Sequence, residues 1–165
     1  MMTKLVTLGI MALALAIRVP NAALAQAAKD FVGTWTIVSA VTVRDGATSD
    51  IFGPNPKGIL VFDGNGRYAL TLIGADLPKF AANNRAGGTA DENKAVVAGS
   101  LAHFGTYAVD EANKSFTFHI EFATFPNWTN TDQKRAFTIT GDELKYTDPN
   151  ASAGGRATVI WRRAK

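Results

Sequence analysis

The sequence predicts an all-β fold: an eight-stranded antiparallel up-and-down barrel with one short helix between strands 3 and 4. Apolar and polar residues alternate with a period of two along much of the chain, which is typical of half-buried antiparallel strands. Segments rich in Gly, Asn and Asp separate these stretches and indicate hairpin turns. Eight sequential strands favour closure into a barrel without exposed edges, although a two-sheet sandwich produces a similar pattern.

The first 25 residues are predicted to be a signal peptide that precedes one domain at residues 26–165. A short positive start comes before an uncharged run at residues 5–17, and residues 23–25 (Ala-Leu-Ala) are the small residues that signal peptidase accepts. The run is shorter than the roughly 20 residues that a membrane-spanning helix needs. We therefore expect a periplasmic or secreted protein with no stable membrane insertion after cleavage.

Composition and charge exclude several classes of function. The chain has no cysteine, which rules out disulfides, thiolate chemistry and an acylated lipoprotein anchor. Its 17 basic and 14 acidic residues give a net charge of +3, and two of the basic residues, Lys4 and Arg18, belong to the predicted leader. The other charges are scattered along the chain, so no nucleic-acid partner is predicted.

The first three strands are predicted at residues 33–44, 58–63 and 67–73. The second and third form a hairpin about residues 63–66 (Asp-Gly-Asn-Gly), because these residues tolerate the positive φ values of tight turns. The segment lacks the later acidic ligands of a calcium loop and is interpreted as a turn alone.

A loop at residues 74–89 and a short helix at residues 90–104 are predicted next. Ala, Val and Leu recur in the second segment at helical spacing, and Asp91 and Glu92 fall in its first turn, near the positive end of the helix dipole. The remaining five strands are predicted at residues 105–110, 115–123, 133–140, 143–148 and 157–163.

Several motifs in these strands resemble those of the bacterial and fungal lipocalin-like domain family, from about residue 31 to residue 163. They are Gly33-Thr34-Trp35, residues 52–58 (Phe-Gly-Pro-Asn-Pro-Lys-Gly), residues 103–107 (His-Phe-Gly-Thr-Tyr), His119-Ile120-Glu121, residues 125–128 (Phe-Pro-Asn-Trp), Arg135-Ala136-Phe137 and residues 141–144 (Gly-Asp-Glu-Leu). The resemblance implies that Gly33, Trp35 and either Arg162 or Arg163 close one end of the barrel. A guanidinium can stack on an indole while it donates to neighbouring carbonyls, so this role is structural.

His119 and Glu121 are candidate ligand anchors because they are two residues apart and project from the same side of one strand. The opposite side of that strand carries only large apolar residues: Phe116, Phe118, Ile120 and Phe122. Alternation alone would place that apolar side inside the barrel and leave His119 and Glu121 in water. The resemblance to a ligand-binding barrel favours polar anchors in the cavity, and we predict that both side chains face the interior.

Arg135 shares a face with Phe137 and Ile139, so an interior position would require a carboxylate partner from Glu121 or from the ligand. The alternative is an arginine whose long stem reaches solvent at a strand end. Phe125, Asn127 and Trp128 are predicted to form a lid or rim of the cavity, although plain packing at a corner fits their pattern equally. Tyr107 completes the set of predicted ligand-binding residues.

The sequence thus predicts an exported binding protein for a small hydrophobic molecule. One alternative is a cyclase or isomerase type of enzyme, in which His119 or Glu121 moves a proton. Another is an interaction protein whose barrel is filled by side chains. No catalytic residue, metal or cofactor is predicted, because the two histidines lack metal-ligand spacing and no nucleophile or phosphate-loop motif is present.

Overall fold

The computed structural model describes residues 29–165, so the predicted signal peptide lies outside the described residues. Within this range the chain forms nine strands and the helix α1, and residues 29–31 are also helical. The elements are β1 (Gly33–Arg44), β2 (Ala47–Asp50), β3 (Lys57–Phe62), β4 (Arg67–Ile73), α1 (Ala90–Ala98), β5 (Ser100–Asp110), β6 (Ser115–Ala123), β7 (Thr131–Thr140), β8 (Glu143–Asp148) and β9 (Arg156–Arg163).

Eight of the strands close into an antiparallel barrel, which confirms the predicted fold class. They are hydrogen-bonded in the order β1-β3-β4-β5-β6-β7-β8-β9, and β9 pairs back onto β1 along most of its length. The ninth strand, β2, extends the sheet at the end of β1 and was not predicted. All four of its residues are exposed, so the sequence shows no alternation of apolar and polar residues there.

The helix lies between the third and fourth barrel strands, as predicted, but it is shorter than residues 90–104. A reciprocal capping box fixes its start: the Thr89 hydroxyl accepts from the Glu92 amide, and the Glu92 carboxylate accepts from the Thr89 amide. The segment from Ser100 onward belongs to β5, because Leu101 and His103 alternate into the barrel interior. No helix within residues 29–165 has both the length and the hydropathy to span a bilayer.

Aromatic side chains fill one end of the barrel, called here the closed end. Its buried members are Phe31, Trp35, Phe62, Tyr107, Phe116, Phe137 and Trp161. Phe31 lies at the centre of this group, with ring centroids 4.8 to 5.2 Å from those of Phe62, Phe116 and Phe137 in edge-to-face geometry. Because these rings fill the closed end, its residues serve to stabilise the fold.

Arg163, rather than Arg162, lies across the closed end. Its guanidinium is 4.2 Å from the Trp35 ring centroid, and it donates to the carbonyls of Val32 and Asp30 at 2.8 Å each. Arg162 is exposed on the outer side of β9. Gly33 has a φ of +133°, and a Cβ there would lie 2.9 Å from the Arg163 guanidinium. Glycine therefore provides both the backbone conformation and the space that the arginine needs.

A β-bulge interrupts the pairing of β5 with β6. Gly105 pairs with Ile120 and Phe104 pairs with Phe122, so Glu121 is the extra residue of β6. A Cβ on Gly105 would collide with the backbone of His119, which explains the glycine. The bulge reverses the alternation of β6, and Phe122 is consequently 61% exposed beside Phe104 on the outer surface.

Candidate ligand-binding cavity

A cavity of about 40 Å³ lies in the other part of the barrel, called here the open half. Its apolar lining includes Leu70, Leu72, Leu101, Phe118 and Val159, and its polar lining includes His103, Arg135, Tyr146 and Asp148. Ile51, Phe52, Ala151 and Ser152, from loops at the end of the barrel, complete the wall. A cavity of about 150 Å³ is known to hold benzene. The observed space therefore admits only a few atoms unless a wall residue moves.

An ion pair between Arg135 and Asp148 forms one wall of the cavity. Arg135 Nη2 lies 3.0 Å from Asp148 Oδ2, and the two side chains are only 6% and 8% exposed. The last paired residues of β7 and β8 are Ala136 and Thr147. Arg135 and Asp148 occupy the next two opposite positions of these strands. Burial lowers the pKa of Arg135, whereas the Asp148 charge opposes that shift. The protein carboxylate that pairs with Arg135 is thus Asp148, and the prediction of Glu121 as that carboxylate is wrong.

Tyr68 and His103 form a second buried polar pair in the open half. The Tyr68 hydroxyl oxygen is 2.9 Å from His103 Nδ1. Burial, and then the positive charge of Arg135, lowers the pKa of His103 to about 3. Burial also raises the pKa of Tyr68 above its usual value and that of Tyr146 to about 12. At neutral pH these three groups are uncharged, so among the cavity-lining residues within 29–165 only Arg135 and Asp148 carry a charge.

Trp128 is the one member of the segment at residues 125–128 that lines the cavity. It lies at the end of a short 3₁₀ turn, Pro126–Trp128, and its ring is 5.8 Å from that of His103 and 6.0 Å from the Arg135 guanidinium. Phe125 packs edge-to-face on the outer side of Trp128, with ring centroids 5.7 Å apart. Asn127 is exposed and is not among the cavity-lining residues.

Trp128, Arg135 and Asp148 also line a surface cleft of about 380 Å³. The cleft lies where β7 has no pairing with β8, and its other walls are residues 131–134 and 149–150. The same three side chains therefore separate the cavity from the cleft. A displacement of Trp128 would join the two spaces.

His119 and Glu121 lie on the outer surface of the barrel, so the prediction that they face the interior is wrong. His119 Nδ1 is 2.7 Å from Asp132 Oδ1, and Glu121 accepts two hydrogen bonds from Arg67, at 3.1 and 2.9 Å. All four side chains are at least two-fifths exposed. Burial of the apolar alternate residues Phe116, Phe118 and Ile120 decides the orientation of β6.

Tyr107 is buried, but at the closed end and away from the cavity. Its hydroxyl donates to the Asp63 carbonyl at 2.9 Å, and its ring packs 4.6 Å from that of Phe62. Its orientation toward the interior follows from alternation along β5, whereas its position along the barrel depends on the length and stagger of the strands.

Tyr68, His103 and Asp148 are cavity or near-cavity residues that were missed in the sequence. Assigning residues 90–104 to a helix concealed His103, which alternates with Leu101 and Tyr107 along β5. Asp148 alternates in the same way with Leu144 and Tyr146 along β8. Correct strand boundaries, combined with period-two alternation, would have identified both residues.

Comparison with known proteins agrees with this architecture. A family model described as a lipocalin-like domain matches residues 32–164. No curated protein matches the sequence. The match spans β1 to β9 and includes every residue of the two buried polar pairs. The chain therefore belongs to the lipocalin-like domain family.

Proposed function

We propose that this protein is an exported binding protein that holds a small hydrophobic molecule in the cavity of the open half. The observation that carries the proposal is the presence of two buried polar pairs, Tyr68–His103 and Arg135–Asp148, at a cavity whose other walls are mostly apolar. Burying a charge pair costs desolvation energy, and apolar packing of the same volume is often as stable or more stable. Such groups at a cavity are the arrangement by which binding proteins orient a ligand.

Apolar contact would provide most of the binding energy. Hiding about 200 Å² of ligand carbon at about 25 cal/mol per Å² gives roughly 5 kcal/mol before the costs of association, and this contribution alone corresponds to a dissociation constant of about 0.2 mM. A ligand with a ring exceeds the 40 Å³ of the cavity. Its binding would therefore displace Trp128 toward the cleft.

The enzyme alternative requires an acid or a base inside the cavity, and its candidates for that role lie elsewhere. It assigned proton transfer to His119 or Glu121, and both side chains are exposed on the outer wall. The filled-barrel alternative describes the closed end, whereas the open half retains a cavity beside buried polar groups.

Native mass spectrometry of the protein purified from its own host tests the binding proposal. We expect a stoichiometric small molecule that is released on denaturation, and we expect that re-adding it changes tryptophan fluorescence. The Trp128→Phe variant should lose that change, because Trp35 and Trp161 are fully buried at the closed end. A protein whose mass and fluorescence do not respond to any small-molecule extract of the host would overturn the proposal.

Export is tested separately by sequencing the N-terminus of the same preparation and by fractionating the cells. The predicted leader implies a mature chain that begins at Gln26 and is recovered outside the cytoplasm. An intact N-terminus on protein recovered from the cytoplasm would contradict export and leave the binding proposal unaffected.

A further inference from the structure

The charges of the open half are already balanced within the protein. Asp148 Oδ2 pairs with the Arg135 guanidinium, and Asp148 Oδ1 accepts a hydrogen bond from the Asn150 amide at 3.0 Å. The other titratable groups near the cavity, Tyr68, His103 and Tyr146, are uncharged at neutral pH. The buried site therefore has one cation, one anion and no net charge.

From this geometry we infer that the cavity selects uncharged ligands over carboxylates, and that Asp148 is the residue that sets this specificity. A ligand carboxylate would enter a site where the guanidinium is already bound by a protein carboxylate at 3.0 Å. The second anion would be desolvated without a cation of its own, which disfavours its binding in a buried site. The inference rests on the proposed function, because it names the chemical class of the ligand for the same cavity.

Arg135 retains hydrogen-bonding capacity for an uncharged acceptor. A guanidinium has five N–H donors. In the described residues, Arg135 donates to the Lys134 carbonyl and the Gln133 side chain and forms an ion pair with Asp148. The remaining donors can bind a carbonyl or hydroxyl oxygen without adding charge. The ligand class is thus a small, uncharged compound that carries such an oxygen on an apolar body.

Benzamide and benzoate are matched probes for this specificity, because they have nearly the same shape and differ by one charge. Both would require the same displacement of Trp128, so ligand size cancels in the comparison. We expect the wild-type protein to bind benzamide at least about tenfold more tightly than benzoate, since only benzoate brings an uncompensated charge. Isothermal titration calorimetry at low salt measures the two affinities.

The Asp148→Asn variant should reverse the preference. It frees the Arg135 guanidinium while it keeps a side chain of nearly the same size, and benzoate can then take the place of the lost carboxylate. The matched control is Glu121→Gln, which frees Arg67 on the outer wall in the same way. That control should keep the wild-type preference, because the exposed ion pair lies outside the cavity.

The unpaired arginine is expected to destabilise Asp148→Asn. Ligand-induced changes in melting temperature then provide a second measurement of binding. A ligand raises the melting temperature of the folded state that it binds, so benzoate should stabilise Asp148→Asn and leave the wild type unchanged. Wild-type protein that binds benzoate as tightly as benzamide would overturn the inference and leave the proposed function intact. Failure of both probes to bind the wild type and both variants would count against the proposed function itself, and the inference would fall with it.

Discussion

The closed end and the open half each contain one arginine whose guanidinium lies near an indole. The two guanidinium charges are stabilised in different ways. Arg163 lies 4.2 Å from the Trp35 ring, remains 31% exposed in its side chain and donates to two backbone carbonyls, and its carboxylate partner Asp142 is exposed and 4.0 Å away. Arg135 lies 6.0 Å from the Trp128 ring, is almost fully buried and pairs with Asp148. Access to solvent is the difference, because a partly exposed guanidinium is hydrated and needs no close carboxylate, whereas a buried one needs an opposite charge in contact.

This difference leads to different expectations for mutations in the two parts of the barrel. The closed end is filled by aromatic rings, and its arginine seals the surface without adding a buried charge pair. The open half has a cavity, and its arginine brings a carboxylate into the wall of that cavity. We therefore expect mutations at the closed end to act mainly on folding and mutations in the open half to act on both folding and ligand choice.

The largest expected effect is the loss of Trp35. Trp35→Ala removes a fully buried indole, its hydrogen bond to the Phe31 carbonyl and the surface on which Arg163 lies. We expect the free energy of unfolding to fall by about 3–5 kcal/mol in urea titrations, because a large cavity opens in a packed core. Trp128→Ala is the comparison, and its half-buried indole should cost clearly less. Equal losses for the two variants would refute the division into a stabilising end and a binding half.

The next effect concerns the buried ion pair. Arg135→Met leaves Asp148 as an uncompensated buried charge and should cost about 3 kcal/mol or more, whereas the double variant Arg135→Met/Asp148→Leu should recover most of that loss. Arg67→Met is the exposed control and should cost less than about 1 kcal/mol. A double-mutant cycle by chemical denaturation measures the coupling. A double variant as unstable as the single one would show that the pair contributes stability, and the argument for a ligand role would weaken.

The barrel could be predicted from the sequence because period-two alternation and hairpin turns are local signals. They identified the eight barrel strands and the Asp63–Gly66 turn. The bulge at Glu121 is different, since it depends on the register between β5 and β6 and is only weakly marked by Gly105 in the sequence. β2 was also not predicted, because all four of its residues are exposed and show no alternation.

The site was harder to predict because its residues come from separate strands. Arg135 was recognised as needing a carboxylate if buried, but its partner Asp148 is 13 positions away and is brought to it by the β7–β8 register. The resemblance to a ligand-binding barrel favoured an interior position for His119 and Glu121, whereas alternation placed them outside. The prediction from alternation agrees with the structure. Their exposed positions follow from the burial of Phe116, Phe118 and Ile120 on the opposite side of the strand.

The smallest expected effect is the pH dependence of the free energy of unfolding that His103 causes. Because the pKa of folded His103 is about 3, the unfolded chain binds a proton near pH 6 that the folded barrel excludes. The stability that this neutral histidine contributes is complete above the unfolded pKa of about 6.5 and is lost as pH falls toward 3. The groups that surround it are Tyr68 from β4, Arg135 from β7, and Tyr146 and Asp148 from β8.

Between pH 6.5 and pH 5 this linkage predicts a loss of about 2 kcal/mol in the free energy of unfolding. His103→Gln should remove that part of the pH dependence, even though the variant itself is less stable. His119→Gln, which alters the exposed histidine of the outer wall, should retain it. The measurement is urea denaturation of the three proteins across this pH range. If His119→Gln and not His103→Gln flattened the profile, then the acid sensitivity would belong to the outer surface, and the open half would not be the part of the barrel that responds to protons.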